Sequence, residues 1–162
     1  MRSKRLLLTV ALGAALFAPA GAHGEDNEAL VRRWVDEVWN KRNMAAVDDF
    51  LAPTYVGHAS GVPDAKGPDG FRQRHAALST AFPDFRFTVE DIIAEGDKVA
   101  VRYTLRGTHR GEFMGIAPTG KEMAWTGMTI LHIANGKFQE GWLMTDLVRQ
   151  LNMISVPGQS KP

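Results

Sequence analysis

An aspartate closes the aromatic, apolar run in "GWLMTDLVRQLNM", Gly141 to Met153. Read as a strand, Trp142, Met144 and Asp146 share one parity, and Gly141, Leu143 and Thr145 share the other. A carboxylate on an apolar wall loses hydration, and its pKa climbs toward the range of a working acid or base. The competing reading is a cap for the helix "LVRQLN", since Asp is a preferred cap residue. Histidines are the other candidates. His109 continues the parity of Val99, Val101, Tyr103 and Leu105 through Gly107, which turns Tyr103 and His109 inward if no bulge intervenes. A structural part at the entry of the "GTHRGEF" loop is equally open to His109. A two-residue turn at Asn135-Gly136 puts His132 on the face opposite Asp146, and a longer turn with a bulge reverses this. His75 falls on the Phe71, Leu78, Phe82 stripe, a core or lid position. His58 lies in "TYVGHASG" without a partner to name. Trp125 falls across from Asp146 in the hairpin register, where it can form a stacking wall. Met114, Met123, Met128 and Met144 add adaptable surface, although each taken singly reads as core.

Other chemistries fail on residue type. The chain has no cysteine, which removes thiol nucleophiles, thiolate metal sites and disulfides. The histidines lack metal-ligand spacing, and no glycine-rich phosphate loop opens a helix. No cofactor and no metal are expected. A net charge of +1 gives no electrostatic footprint for nucleic acid.

These residues need a frame to position them. "EDNEALVRRWVDEVWNKRN" spaces Leu30, Val31, Trp34, Val35, Val38 and Trp39 as a helix. Asn43 can cap a short second helix through "MAAVDDFL", stopped by Pro53. "TYVGHASG" reads as a brief extended piece. "PDGFRQRHAALSTAF" is a third helix with Pro68 in its first turn and Pro83 beyond its end. From Phe85 the period becomes two. Phe85, Phe87, Val89 and Ile93 alternate with polar residues, "EGD" turns, and Val99 to Leu105 alternate in reply. A further strand over residues 121–134 meets its return strand, 137–146, at Asn135-Gly136, a strong hairpin signal. Three helices followed by a meander imply an α+β fold, with helices packed on one face of a strongly curved antiparallel sheet.

The first residues read as a leader. "MRSKR" is basic, "LLLTVALGAALFAPA" is apolar, and Ala20-Gly21-Ala22 supplies small residues for cleavage. The apolar run falls short of the roughly 20 residues a spanning helix needs. Residues 1–22 are therefore expected to be a Sec-type signal peptide, with a mature chain starting at His23, periplasmic or secreted, and no membrane attachment after cleavage. The domain is expected over 23–154, followed by a tail over 155–162.

The stretches "AFPDF", "EGDKVAVRYTLRGTHRGEFMGIAPTGKEM" and "GKFQEGWLMTDLVRQL" resemble the SnoaL-like polyketide cyclase (ester cyclase) family, and the resemblance spans nearly all of the mature chain. It implies the cone-shaped α+β barrel shared with nuclear transport factor 2 and ketosteroid isomerase. It implies that Asp146 is the acid/base of an intramolecular aldol ring closure. It implies that His58 stands at the mouth of the cone, where a neutral imidazole can donate to an enolate oxygen. It also makes His132 a pocket residue. The family pattern continues after this His with an acidic residue and Pro, whereas Ala59-Ser60-Gly61 follows here.

Three functions fit these readings. The first is a cofactor-free lyase or isomerase acting on a small hydrophobic, carbonyl-containing ligand, with Asp146 and His58 catalytic and Trp125, Trp142, His109, His132, Met144 and Tyr103 holding the substrate. The second is a non-catalytic domain binding such a ligand in the same pocket. The third is a partner-binding dimer. The family's fold implies a homodimer, expected through an outer sheet face bearing Arg86, Thr88, Arg102, Thr104 and Arg106, with Ile92 and Ala100 among them.

Overall fold

The computed structural model describes residues 20–155, with side chains from residue 26 onward. The expected signal peptide, residues 1–22, lies outside them but for its last three residues, as does the tail from 156. Among the described residues no helix is long and apolar enough to cross a membrane.

Helix α1 (Ala20–Trp34) runs into a π-helical segment, Val35–Asn40. Together they bury Leu30, Val31, Trp34, Val35 and Val38, the stripe that the helical spacing predicts. A 3-10 turn (Met44–Ala46) leads to the short α2 (Val47–Phe50), and Asn43 makes no side-chain cap there. Helix α3 (Gly67–Ala81) has Pro68 in its first turn. It stops at Phe82, whose φ of −129° and ψ of 74° are non-helical, in keeping with the bar on helical geometry before Pro83. Trp34 is the hub between helices and sheet, with ring centroids 5.4 Å from Phe50, 4.8 Å from Phe71 and 5.5 Å from Phe138. Each such buried ring contributes on the order of 2–3 kcal/mol.

Six strands form one sheet in the order β2-β1-β6-β5-β4-β3. They are β1 (Leu51–Ala59), β2 (Val62–Lys66), β3 (Arg86–Glu95), β4 (Lys98–Thr108), β5 (Glu122–Ala134) and β6 (Lys137–Thr145). Helix α4 (Leu147–Ser155) closes the chain and buries Leu147 and Leu151. The fold is α+β, as expected, but the sheet is mixed. β1 runs parallel to β6, and β2 is a strand that the sequence reading left out. β1 starts at Leu51, inside the segment read as helix. Its pairing to β6 jumps from Leu51↔Phe138 to Val56↔Glu140, around Pro53, which has no N–H to give a ladder. The β5–β6 hairpin closes on Asn135 (φ 53°) and Gly136 (φ 69°), the left-handed pair of a type I′ turn.

Two bulges shape the sheet. In β3 the pairing passes from Val89↔Tyr103 to Asp91↔Arg102 and leaves Glu90 over. In β6 it passes from Ile133↔Phe138 to His132↔Glu140 and leaves Gln139 over. An extra residue turns every later side chain of its strand to the other face. Ile93, expected inward with Phe87 and Val89, is consequently 70% exposed.

Candidate active site

The concave face of the sheet, roofed by α1 and α3, encloses a cavity of about 540 Å³. Its walls are largely apolar and aromatic. Polar side chains that break that surface from the strands and the roof include Tyr55, Tyr103, Thr129, Thr145, Arg74 and His75. On α3, Phe71, Arg74, His75 and Leu78 lie at helical spacing and all line the cavity.

His75 is 4% exposed. Its ring packs 5.3 Å from Trp39, 5.9 Å from Phe71 and 5.7 Å from Phe85. Ser79 Oγ meets its Nδ1 at 3.1 Å, and its Nε2 has no partner. Burial, assisted by the charge of Arg42, pushes its pKa down to about 4, so the imidazole is neutral near pH 7. Burial pushes the Tyr55 phenol up to about 12 and the Tyr103 phenol higher still. Both therefore stay protonated and can donate. Gly57 and Gly141 pair across β1 and β6, and a Cβ on either would stand 2.9 Å from the Tyr55 hydroxyl oxygen. These two glycines make the floor on which that phenol lies.

Tyr103 lines the cavity, as its parity predicts, and so does Trp125, though not through the expected register with Asp146; Trp125 packs 4.8 Å from Phe82 and is 2% exposed. Trp142 and Met144 do not face the cavity. The Gln139 bulge gives the inner face to Gly141, Leu143 and Thr145 and the outer face to Glu140, Trp142 and Met144. Asp146 does not line the cavity either. Its Oδ1 accepts from the Thr126 N–H at 2.7 Å, its Oδ2 accepts from Gln150 Nε2 at 3.0 Å, and its carbonyl accepts the first bond of α4. It clasps β5 to the start of α4, which is closer to the cap reading. The bulge also moves its cross-strand partner from Trp125 to Thr126.

His58 borders the cavity, but its imidazole lies on the outer face, stacked 5.7 Å from Trp142. Nε2 meets Glu140 at 2.8 Å and Nδ1 meets Asp64 at 3.0 Å. Glu140 first, then Asp64, raise its pKa and favour the imidazolium. A neutral His58 with a free donor is therefore not the state these contacts support. His132, on the outer face as the two-residue turn predicts, meets Asp97 at 3.1 Å and is no cavity residue. His109 is fully buried behind Phe82, 5.2 Å from its ring, and pins the 109–121 loop. Its carbonyl accepts from Gly120, and its Nδ1 takes the Thr119 N–H at 3.3 Å. Burial lowers its pKa.

Sequence reasoning missed Tyr55 and Arg74 and gave His75 a core or lid position rather than a catalytic one. The alternation Tyr55, Gly57, Ala59 was the available signal for Tyr55. For α3, the stripe that reads as core is also the cavity roof.

A curved sheet roofed by helices, with imidazole, phenols and a guanidinium in an apolar cavity, defines a small-molecule pocket of the cone-shaped barrel class. The profile of the SnoaL-like polyketide cyclase family matches residues 29–154, and the chain belongs to that family. It is 32% identical over 111 residues to aklanonic acid methyl ester cyclase AcmA of Streptomyces galilaeus, covering 67% of this chain and 76% of the relative. Among solved structures, a Jannaschia sp. CCS1 protein assigned as a SnoaL-like polyketide cyclase superposes with a TM-score of 0.77 at 26% identity, over 86% of this chain and 96% of that one. AclR of Streptomyces galilaeus, assigned as a hydroxylase, superposes at 0.71 with 29% identity, over 85% and 87%.

Proposed function

We infer that this chain is a cofactor-independent cyclase that moves a proton alpha to a carbonyl of a small hydrophobic substrate, closing a ring by intramolecular aldol addition. The observation that carries this reading is the apolar cavity lined by a neutral imidazole whose Nε2 has no partner, together with protonated phenols. His75 is the proton acceptor in this scheme. Tyr55 or Tyr103 donates to the oxygen where enolate charge develops. Asp146 lies off the cavity, and its carboxylate already accepts from Thr126 and Gln150.

The test is conversion of aklanonic acid methyl ester, followed by chromatography and mass spectrometry, in wild type and three variants. His75→Gln and Tyr55→Phe should each lower the rate about a hundredfold, the scale of lost acid/base catalysis. Asp146→Asn should leave it within about threefold, because Asn can keep the Thr126 bond. A hundredfold loss in Asp146→Asn with an active His75→Gln would reverse the assignment. Tight binding without turnover would favour the non-catalytic binding domain.

We further propose export and self-association. N-terminal sequencing that finds His23 first would support export. The outer face is most apolar at β5–β6, where Ile130 pairs with Trp142 and Met128 with Met144, rather than at the arginines of β3 and β4. A second copy would cover that patch, and sedimentation showing only monomer at all concentrations would count against it.

A further inference from the structure

Three arginines among the described residues are half-buried, and two of them, Arg72 and Arg42, are engaged away from the cavity. Arg72 pairs with Asp48 at 2.6 Å and Asp69 at 3.0 Å. Arg42 donates from Nη2 to the carbonyls of Pro83 and Phe85 and lies 4.7 Å over the Phe85 ring, with its Nε buried and unpartnered away from the cavity. Arg74 differs. It donates from Nη2 to the Pro63 carbonyl at 2.8 Å and makes no ion pair with any described carboxylate. A guanidinium has five N–H donors in a planar fork, so most of its capacity is unspent. It lines the cavity. Glu112 also lines the cavity but is solvent-exposed and does not pair with Arg74.

Tyr55, also on the cavity and 8% exposed, has no hydrogen-bond partner for its hydroxyl among the described residues and is held over Gly57 and Gly141. The Arg74 charge reaches this phenol and pulls its pKa down against the larger upward push of burial. An unpaired cation and an unpaired donor at one end of an apolar cavity leave their donors unspent unless something else accepts.

Resting on the reading of the cavity as a site for a small hydrophobic carbonyl compound, we propose that its ligand is an anion, a hydrophobic carboxylate whose oxygens accept from Arg74 and Tyr55. This differs from the neutral methyl ester in the relatives' names. The acid end is anchored at β1 and α3, and the apolar body extends toward Trp125.

The probes are anthraquinone-2-carboxylate and its methyl ester, titrated against the full protein by quenching of tryptophan fluorescence; Trp34, Trp39 and Trp125 line the cavity. The carboxylate should bind at least about tenfold tighter than the ester, the scale of charge-assisted hydrogen bonds. Arg74→Gln should abolish that preference while leaving the ester's affinity within about threefold. Arg74→Lys should keep part of it, since it retains the charge but not the fork. Thermal melting and circular dichroism confirm that the variants fold. Equal binding of the two probes, or a preference that survives Arg74→Gln, would overturn the carboxylate assignment and leave the cavity reading standing. Failure of both probes to bind would overturn both.

Discussion

Strands β4 and β6 both flank β5, and only one keeps step with it. β4 pairs without a shift from Lys98↔His132 to Thr108↔Glu122. Its Val99, Val101, Tyr103 and Leu105 are all buried, each matched by an exposed or half-buried neighbour. β6 slips by one residue at Gln139. Before the slip Phe138 points inward; after it Gly141 and Leu143 do, and Trp142 and Met144 are pushed outside. Apolar character therefore marks the inner face along β4 but not along β6. There the inner positions are a glycine, a leucine and a threonine, and the largest apolar side chains cover the outside. The small inner residues make room for a cavity, and Gly141 makes room for the Tyr55 phenol as Gly127 of β5 does for that of Tyr103.

Deleting Gln139 is the severest way to break this contrast. It would restore even pairing, drive Trp142 and Met144 into the cavity and expose Leu143. We expect loss of cooperative folding, read as a lost thermal transition by circular dichroism. A stable, fully folded deletion variant would show that the bulge does not set the face.

Two tryptophans on the two sides of the sheet sharpen it next. Trp125→Ala should cost about 3–5 kcal/mol, the range for removing a buried ring. Trp142→Ala, at 40% exposure, should cost less than about 1 kcal/mol in the monomer. Urea denaturation measures both, and equal costs would erase the distinction.

Two histidines on the same two sides should titrate with opposite sign. His75 has a folded pKa near 4, below its ordinary 6.5, so the folded state binds fewer protons in that window. Stability due to neutral His75 is lost as pH falls from 6.5 toward 4, with a limit on the order of 3 kcal/mol. His58 has a raised folded pKa, so its pairing with Glu140 and Asp64 stabilises below pH 6.5 and fades as pH rises through the folded value. His75→Gln should therefore flatten the acid limb of the stability curve, and His58→Gln should flatten the limb above pH 6.5. Chemical denaturation across pH reads both, and unchanged curves would refute the assignments.

Much of the frame was legible because its signals are local. The α1 stripe, the prolines bounding α3, the alternation of β4 and the Asn135-Gly136 turn each act within a few residues. Tyr103 could be placed on the cavity because the alternation of β4 is unbroken, whereas Trp125 faces it despite a register to Asp146 that the Gln139 bulge removes. The bulges could not be read, since neither Glu90 nor Gln139 has a residue type that demands one. Gln139 is held by donating to the Ala134 and Lys137 carbonyls, a contact visible only once the turn is built. That single residue misplaced Trp142 and Met144 and took Asp146 off the cavity wall. β1 was legible only as a brief extended piece from Thr54, because Pro53 looks like a stop, and Tyr55 was not given a face. Arg74 could not be singled out among the arginines until their partners were known.

The outward turn of β6 also fixes where the protein meets oxidants. Without cysteine, sulfur chemistry falls to methionine, and Met128 and Met144 face each other across β5 and β6 at 54% and 72% exposure. Met123, on the inner side of the same hairpin, is 7% exposed. Peroxide should convert the outer pair to sulfoxides well before Met123, turning an apolar patch polar without disturbing the cavity wall. Peptide mass mapping after brief peroxide treatment would show added oxygen on the peptides of Met128 and Met144 first, and early oxidation of Met123 would contradict it.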